Sequence, residues 1–285
     1  MGDGNHADAR PSFGDRLLAA TGERGRLCAG IDPHPALLRA WGLPYDADGV
    51  ERFSLTCAEA FGDLVAVVKP QVALFEEHGS RGIAVLERLL SELPEAGALT
   101  LADAKRGDIG TTMAAYARAW LADGSPLAAD AVTVSPYLGF GSLEPALDLA
   151  EETGRGVFVL AATSNPEGPS VQRSRDDGGR TLAQSIVDAA AARNARALAA
   201  GSQAGPVGVV VGATVTGPPS LDELAGAVLM PGVGAQGAGA EDVARVAGAA
   251  GRLALPNISR AILAAGPDAR ALRDAAERAA GEYPA

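Results

Sequence analysis

Eight short runs of β-forming residues recur along this chain, each set off from the next by a helix-prone stretch or a Gly/Pro-rich turn, and that alternation leaves few folds open. The runs fall at 27–31, 64–69, 99–103, 131–135, 157–161, 207–211, 227–230 and 252–255. Most are continuously apolar rather than alternating, as strands covered on both faces must be. Between them lie 51–62, 81–93, 113–121, 142–153, 181–200, 220–224 and 240–250, most of them rich in the good helix formers Ala, Leu and Arg. Strand–helix alternation repeated in this way predicts a closed (β/α)8 barrel, the TIM-barrel architecture. A doubly wound open sheet is the competitor, but its first strand more often leads into a glycine-rich phosphate turn. Here that turn reads Asp32-Pro33-His34-Pro35. Segments 11–20 and 267–280 read as extra N- and C-terminal helices closing the barrel's ends, and residues 1–10 as a flexible tail. No linker separates a second domain, so 11–285 is expected to form one. The stretch 164–180, after the fifth strand, mixes Pro, Gly, Ser and both signs of charge; it reads as a lid or binding segment or as plain disorder.

The chain's 285 residues, 47% hydrophobic and 21% charged, suffice for one large core. No apolar run approaches the roughly eighteen residues of a membrane helix, and the first dozen residues lack a signal-peptide core, so a cytoplasmic protein without a membrane partner is expected. A net charge of −11 argues against a nucleic-acid surface, which needs a basic face. It leaves room for a small anionic substrate, because surface charge is screened over roughly 8 Å. Cys28 and Cys57 have neither disulfide nor zinc spacing and read as reduced core residues. His6, His34 and His78 share no metal-binding spacing, and no metal is expected.

Of the 24 basic side chains only Lys69 and Lys105 are lysines, and both stand where a β-run ends. Arginine holds its proton too tightly to donate it readily, whereas an ammonium can give one up. In a barrel of this kind chemistry sits where strands end and the following loops begin. The residues expected there are Asp32, Lys69, Asp103, Lys105, Ser135, Thr163, Ser164, Thr214, the Pro231 to Gly237 loop, and Ser259 with Arg260. Strand alternation points Asp103 and Lys105 to the mouth and Ala104 toward the helices. Asp108 lies beyond the strand and either folds back onto Lys105 or reaches into a neighbouring subunit's site.

Carboxylates and ammoniums within about 4 Å interact by roughly 4 kcal/mol per pair at an effective dielectric near 20, which keeps the lysines protonated. That favours a proton donor over a Schiff-base nucleophile, which needs a neutral amine. A salt-bridge network that merely ties loops together is the bland alternative. Gly232, Gly234 and Gly237 surround Gln236 after the seventh run and Arg260 follows the eighth. A glycine loop's amides plus an arginine fork suit a phosphate dianion at the position where barrels commonly hold one.

The run Asp103-Ala-Lys105-Arg-Gly-Asp108-Ile-Gly-Thr-Thr112 resembles the Asp-x-Lys-x-x-Asp signature of the orotidine 5′-monophosphate decarboxylase family. Val67-Val-Lys69-Pro-Gln71 resembles the family's second strand, Thr163-Ser164-Asn165-Pro166 its pyrimidine-covering loop, and Pro231-Gly-Val-Gly-Ala-Gln236-Gly237 its phosphate-gripping loop. The longer bacterial branch fits best. The resemblance implies a carboxy-lyase of pyrimidine biosynthesis that makes UMP without a cofactor, as a homodimer with shared active sites. It implies that Lys69, Asp103, Lys105 and Asp108 form an alternating charge network, with Asp108 and Thr112 given to the partner subunit. Asp32 and Lys69 would hold the ribose, Ser164 the pyrimidine, and Gln236 with Arg260 the phosphate. Asp103 would stand against the substrate carboxylate while Lys105 protonates the carbanion at C6. Around Arg260 the chain departs from the pattern: Pro256-Asn-Ile-Ser-Arg260-Ala261 has Ile258 where a smaller residue is expected and Ala261 where glycine is frequent. The rival readings are a sister barrel that decarboxylates a sugar phosphate or makes a hexulose phosphate on a metal ion, a Schiff-base aldolase, and a non-catalytic phosphosugar-binding barrel.

Overall fold

In the computed structural model, which describes residues 10–285, eight parallel strands close into a barrel in the order of the sequence. They are β1 (Cys28–Ile31), β2 (Val67–Pro70), β3 (Leu99–Arg106), β4 (Ala131–Val134), β5 (Gly156–Ala162), β6 (Val207–Val211), β7 (Val228–Met230) and β8 (Ala254–Ile258). Closure comes from β8 pairing back onto β1 through Cys28↔Asn257 and Ala29↔Ile258. Every residue of β1, β2, β4, β6, β7 and β8 is buried, which is why these runs carry no polar alternation.

The core has two compartments. Inside the barrel, Cys28, Val67, Leu101, Phe158 and Leu255 pack together, and Phe13 and Leu17 of helix Phe13–Arg24 cap them from the N-terminal end. Phe13 meets Phe158 edge to face at 5.8 Å between ring centroids. Leucines and valines between the strands and the outer helices form the larger compartment. Helix Ala269–Gly281, which follows β8, packs against helix Ala47–Phe61 and so belongs to that outer layer. The expected tail at 1–10 lies outside the described residues except for Arg10, which is tied down: its guanidinium donates to the Thr153 carbonyl at 2.9 Å and to Asp123 at 3.2 Å.

Some boundaries move from their expected places. The run at 64–69 begins its strand only at Val67, because Leu64 and Val65 still bond back to Phe61 at the end of the preceding helix. Residues 252–253 belong to the 3-10 helix Gly248–Leu253, and β8 continues through Pro256, which reads in sequence as a breaker. The stretch 220–224 forms a single turn, Leu224 N–H to Leu221 carbonyl, since five residues cannot repay the cost of starting a helix. Four short helices, Pro35–Ala40, Ala73–Glu76, Gly168–Gln172 and Arg260–Leu263, are too brief to show periodicity. The stretch 164–180 carries local structure: it contains the helix Gly168–Gln172, and the Gln172 side chain exchanges two hydrogen bonds with Thr163.

Candidate active site

The ends of β1, β2 and β3 bring four charges of alternating sign into a line. Lys69 Nζ lies 3.9 Å from Asp32 Oδ1 and 3.0 Å from Asp103 Oδ2, and Lys105 Nζ lies 2.6 Å from Asp103 Oδ1. Parallel register builds this arrangement, setting Gly30 opposite Lys69 and Gln71 opposite Asp103. The absence of a side chain at Gly30 leaves room for Ser259, since a Cβ there would come within 1.9 Å of the Ser259 hydroxyl and 3.3 Å of Asp32 Oδ1.

Burial would push the Lys69 ammonium toward its neutral form, but the carboxylates of Asp103 and Asp32 outweigh it and hold the lysine above its usual range. Burial likewise opposes the Asp103 charge, and the two ammoniums overcome it, keeping that carboxylate well below the usual carboxylate range. The two lysines differ in access: the Lys69 side chain is 3% exposed and that of Lys105 45%, so Lys105 alone can offer a proton to a molecule in the mouth.

Asp103 accepts from four donors. Lys69 and Gln71 reach Oδ2, both at 3.0 Å, while Lys105 at 2.6 Å and Thr133 at 3.0 Å reach Oδ1. Asp32 Oδ1, by contrast, is buried without a hydrogen-bond partner, 3.9 Å from the Lys69 ammonium, while the Asp32 side chain as a whole stays 14% exposed and borders the cleft. Asp103 and Lys105 do meet, though plain alternation does not bring them together. The β3–β4 register shifts between Ala102 and Arg106, and Lys105 takes a left-handed φ of 48°. Such a conformation costs a non-glycine residue about 1–3 kcal/mol and persists where the surroundings enforce it. Ala104 packs toward the outer core as expected.

A cleft of about 230 Å³ opens over this line, and Asp32, Lys69, Asp103, Lys105, Gln236 and Arg260 all border it. A larger cavity of about 610 Å³ adjoins it between the loops after β5 and β6. Of the two, the smaller one alone brings carboxylates and ammoniums together. Ser164 borders the larger cavity, and its hydroxyl donates to Gln236 Oε1 at 2.9 Å, joining the loops after β5 and β7.

Two of the glycines expected to cradle phosphate have their amides bonded within the loop. The Gly234 amide bonds to the Ala238 carbonyl and the Gly237 amide to the Gly234 carbonyl, both at 2.9 Å. Their positive φ values, 72° and 87°, shape the turn that presents Gln236. Ile258 departs from the family pattern without touching the cleft, since it turns into the outer core while Asn257 and Ser259 border the mouth. Asp108 does not fold back onto Lys105: its Oδ1 accepts from the Ile109 amide at 2.8 Å, and Thr112 is exposed on helix Gly110–Leu121.

Comparison with known proteins decides the family. The model of the "Orotidine 5′-phosphate decarboxylase / HUMPS family" matches residues 25–275. The chain belongs to this family. Orotidine 5′-phosphate decarboxylase of Corynebacterium efficiens is 62% identical over 273 residues, covering 96% of this chain and 97% of that protein. The Salinispora arenicola enzyme of the same name is 58% identical over 269 residues, 94% of this chain and 95% of its own. A crystal structure from Streptomyces avermitilis, ascribed to orotidine 5′-phosphate decarboxylase, superposes with a TM-score of 0.92 at 54% identity, covering 96% of this chain and 95% of that one.

Thr163 and Ser259, expected at the strand ends, border the cleft, and so do two residues for which the sequence suggested no role, Gln71 and Asn257. Gln71 offers a signal in its place directly after Lys69-Pro70. Asn257 is 7% exposed inside an apolar strand, donating to the Cys28 carbonyl at 3.0 Å, and a buried amide in such a strand is a recognisable exception. Among the described residues no group of three or more His, Cys, Asp or Glu is arranged to hold a metal, and no helix is long and apolar enough to cross a membrane.

Proposed function

We propose that this chain, as a single barrel domain at 11–285, decarboxylates orotidine 5′-monophosphate to UMP in pyrimidine biosynthesis, with Lys105 as the proton donor. The observation that carries this reading is the line Asp32–Lys69–Asp103–Lys105, whose last ammonium is reachable from the cleft. Asp103 remains ionised beside the substrate carboxylate, an unfavourable pairing that is relieved as carbon dioxide departs. The bond from C6 to the carboxyl carbon breaks, its electron pair stays on C6, and Lys105 Nζ first stabilises that developing charge and then protonates it. Lys69, kept cationic by two carboxylates, holds the array together. The Asp32 carboxylate, part of which is exposed at the cleft, suits a ribose hydroxyl. Gln236 and Arg260, at the rim after β7 and β8, suit the phosphate, whose binding energy helps draw the Ser164 and Gln236 loops over the pyrimidine.

The reading includes a cytoplasmic homodimer in which Asp108 and Thr112 serve the partner's site. Two features support the dimer. Neither side chain meets the charge line of its own subunit, and the nearby loops expose Ile109, Tyr137 and Leu138, at 62%, 79% and 53%. Turnover of orotidine 5′-monophosphate, followed as loss of the orotate absorbance, tests the function. Activity is expected to persist in EDTA; its loss there would favour the metal-dependent sugar-phosphate branch, and no turnover at all would overturn the proposal.

A further inference from the structure

One neutral partner of Asp103 also touches the backbone of Lys105. Thr133 lies within β4, fully buried, and its Oγ donates to Asp103 Oδ1 at 3.0 Å while accepting from the Lys105 amide at 2.9 Å. A hydroxyl has one proton; spent on the carboxylate, it leaves the lone pairs to face the amide, so both contacts fix its direction together. The residue it grips is one of only two non-glycine residues with positive φ among the described residues, Lys105 and Ala225. The same Asp103 oxygen receives the Lys105 ammonium at 2.6 Å. Thr133 therefore meets both ends of Lys105: the backbone directly, and the ammonium through a shared acceptor.

We propose that Thr133 is a positioning residue for Lys105, holding its backbone in the left-handed conformation and its ammonium at a set distance from the reacting carbon. This rests on the decarboxylase reading above. Gln71 makes a useful contrast, since it reaches Asp103 only through the other oxygen and has no hydrogen bond to Lys105. A displacement near 1 Å in a proton donor can cost about a hundredfold in rate, so the Thr133 hydroxyl should weigh on turnover far more than on substrate affinity.

The test compares wild type with Thr133→Val, Thr133→Cys and Thr133→Ser, measuring kcat and KM on orotidine 5′-monophosphate and thermal unfolding for each. Valine keeps the shape and removes both hydrogen bonds. It is expected to lower kcat about 30- to 300-fold with KM changed less than about threefold, and serine to recover most of that loss. Cysteine, a weak donor and acceptor, should fall between them and serves if the valine variant does not fold. A valine variant with kcat within twofold of wild type would overturn the inference, as would a cysteine variant unchanged in kcat or a serine variant as impaired as valine. A merely structural role would lower the unfolding temperature and leave kcat per folded molecule alone. A wild type inactive on this substrate defeats the proposed function instead, which keeps the two failures apart.

Discussion

Asp103 and Arg193 are both buried charges that collect several partners, yet they do different work. Each guanidinium nitrogen of Arg193 has its own carboxylate, from Glu144, Asp148 and Glu151, and the arrangement fastens helix Leu182–Ala199 to helix Glu144–Thr153. Those carboxylates stand 34–58% exposed on the outer layer, where nothing further is asked of them. Asp103 gathers its donors at strand ends under a cleft, and its surroundings keep capacity in reserve: a reachable ammonium on Lys105, a partly exposed carboxylate on Asp32, and a left-handed backbone at Lys105. The number of ion pairs does not separate a working cluster from a fastening. What separates them is unspent bonding capacity next to a space that a ligand can enter.

Substitutions at the two hubs should therefore fall on different measurements. We expect Lys105→Ala to lower turnover by about three to four orders of magnitude, while its unfolding free energy in urea titrations stays within about 1 kcal/mol of wild type. Turnover at the wild-type rate would remove Lys105 from the chemistry. Arg193→Ala should do the reverse, costing about 2–3 kcal/mol of unfolding free energy through lost ion pairs and packing of the arginine stem, with kcat per folded molecule unchanged. If the two variants shift the same measurement, the contrast between the hubs is broken. Arg260→Ala sharpens it further: loss of a phosphate contact should raise KM about ten- to a hundredfold and lower kcat less, measured by steady-state kinetics.

How much of this could be read in advance depended on whether a residue stood out against its element. Lys69, Asp103 and Lys105 were legible because charge at the end of an apolar run is conspicuous. Thr133, between Val132 and Val134, was not, because a β-branched residue in a strand looks like filler until its hydroxyl is seen to serve two groups on the next strand. The barrel itself followed from recurrence, whereas local limits at 64–66, 220–224 and Pro256 depended on helix ends, nucleation cost and parallel pairing that periodicity does not register. The meeting of Asp103 with Lys105 was expected for the wrong local reason: alternation gave the right pair, but a shifted register and a positive φ deliver it. Asp108 and Thr112 could be assigned to another subunit only by resemblance, since nothing within one chain brings them to the charge line.

The smallest effect concerns acid, and it separates the hubs by sign. Asp103 is held well below the usual carboxylate range in the folded protein, whereas in the unfolded chain it titrates near 4. Below pH 4 the unfolded chain binds a proton that the folded one refuses, so stability falls as pH falls. Above pH 4 both forms are ionised, and the stabilisation from Asp103 is fully present. We expect the unfolding free-energy difference between wild type and Asp103→Asn to stay constant from pH 7 to pH 5, then narrow below pH 4 by at most about 1.4 kcal/mol per pH unit. Arg193 does not titrate in this range, so Arg193→Lys, which keeps a cation there, should show no comparable narrowing assignable to the substituted group. Urea unfolding at pH 7, 5 and 3 measures both. A gap for Asp103→Asn that stays unchanged to pH 3 would mean that the carboxylate owes its place to hydrogen-bond shape rather than to its charge, and the likeness between the hubs as ionic centres would fail on the Asp103 side.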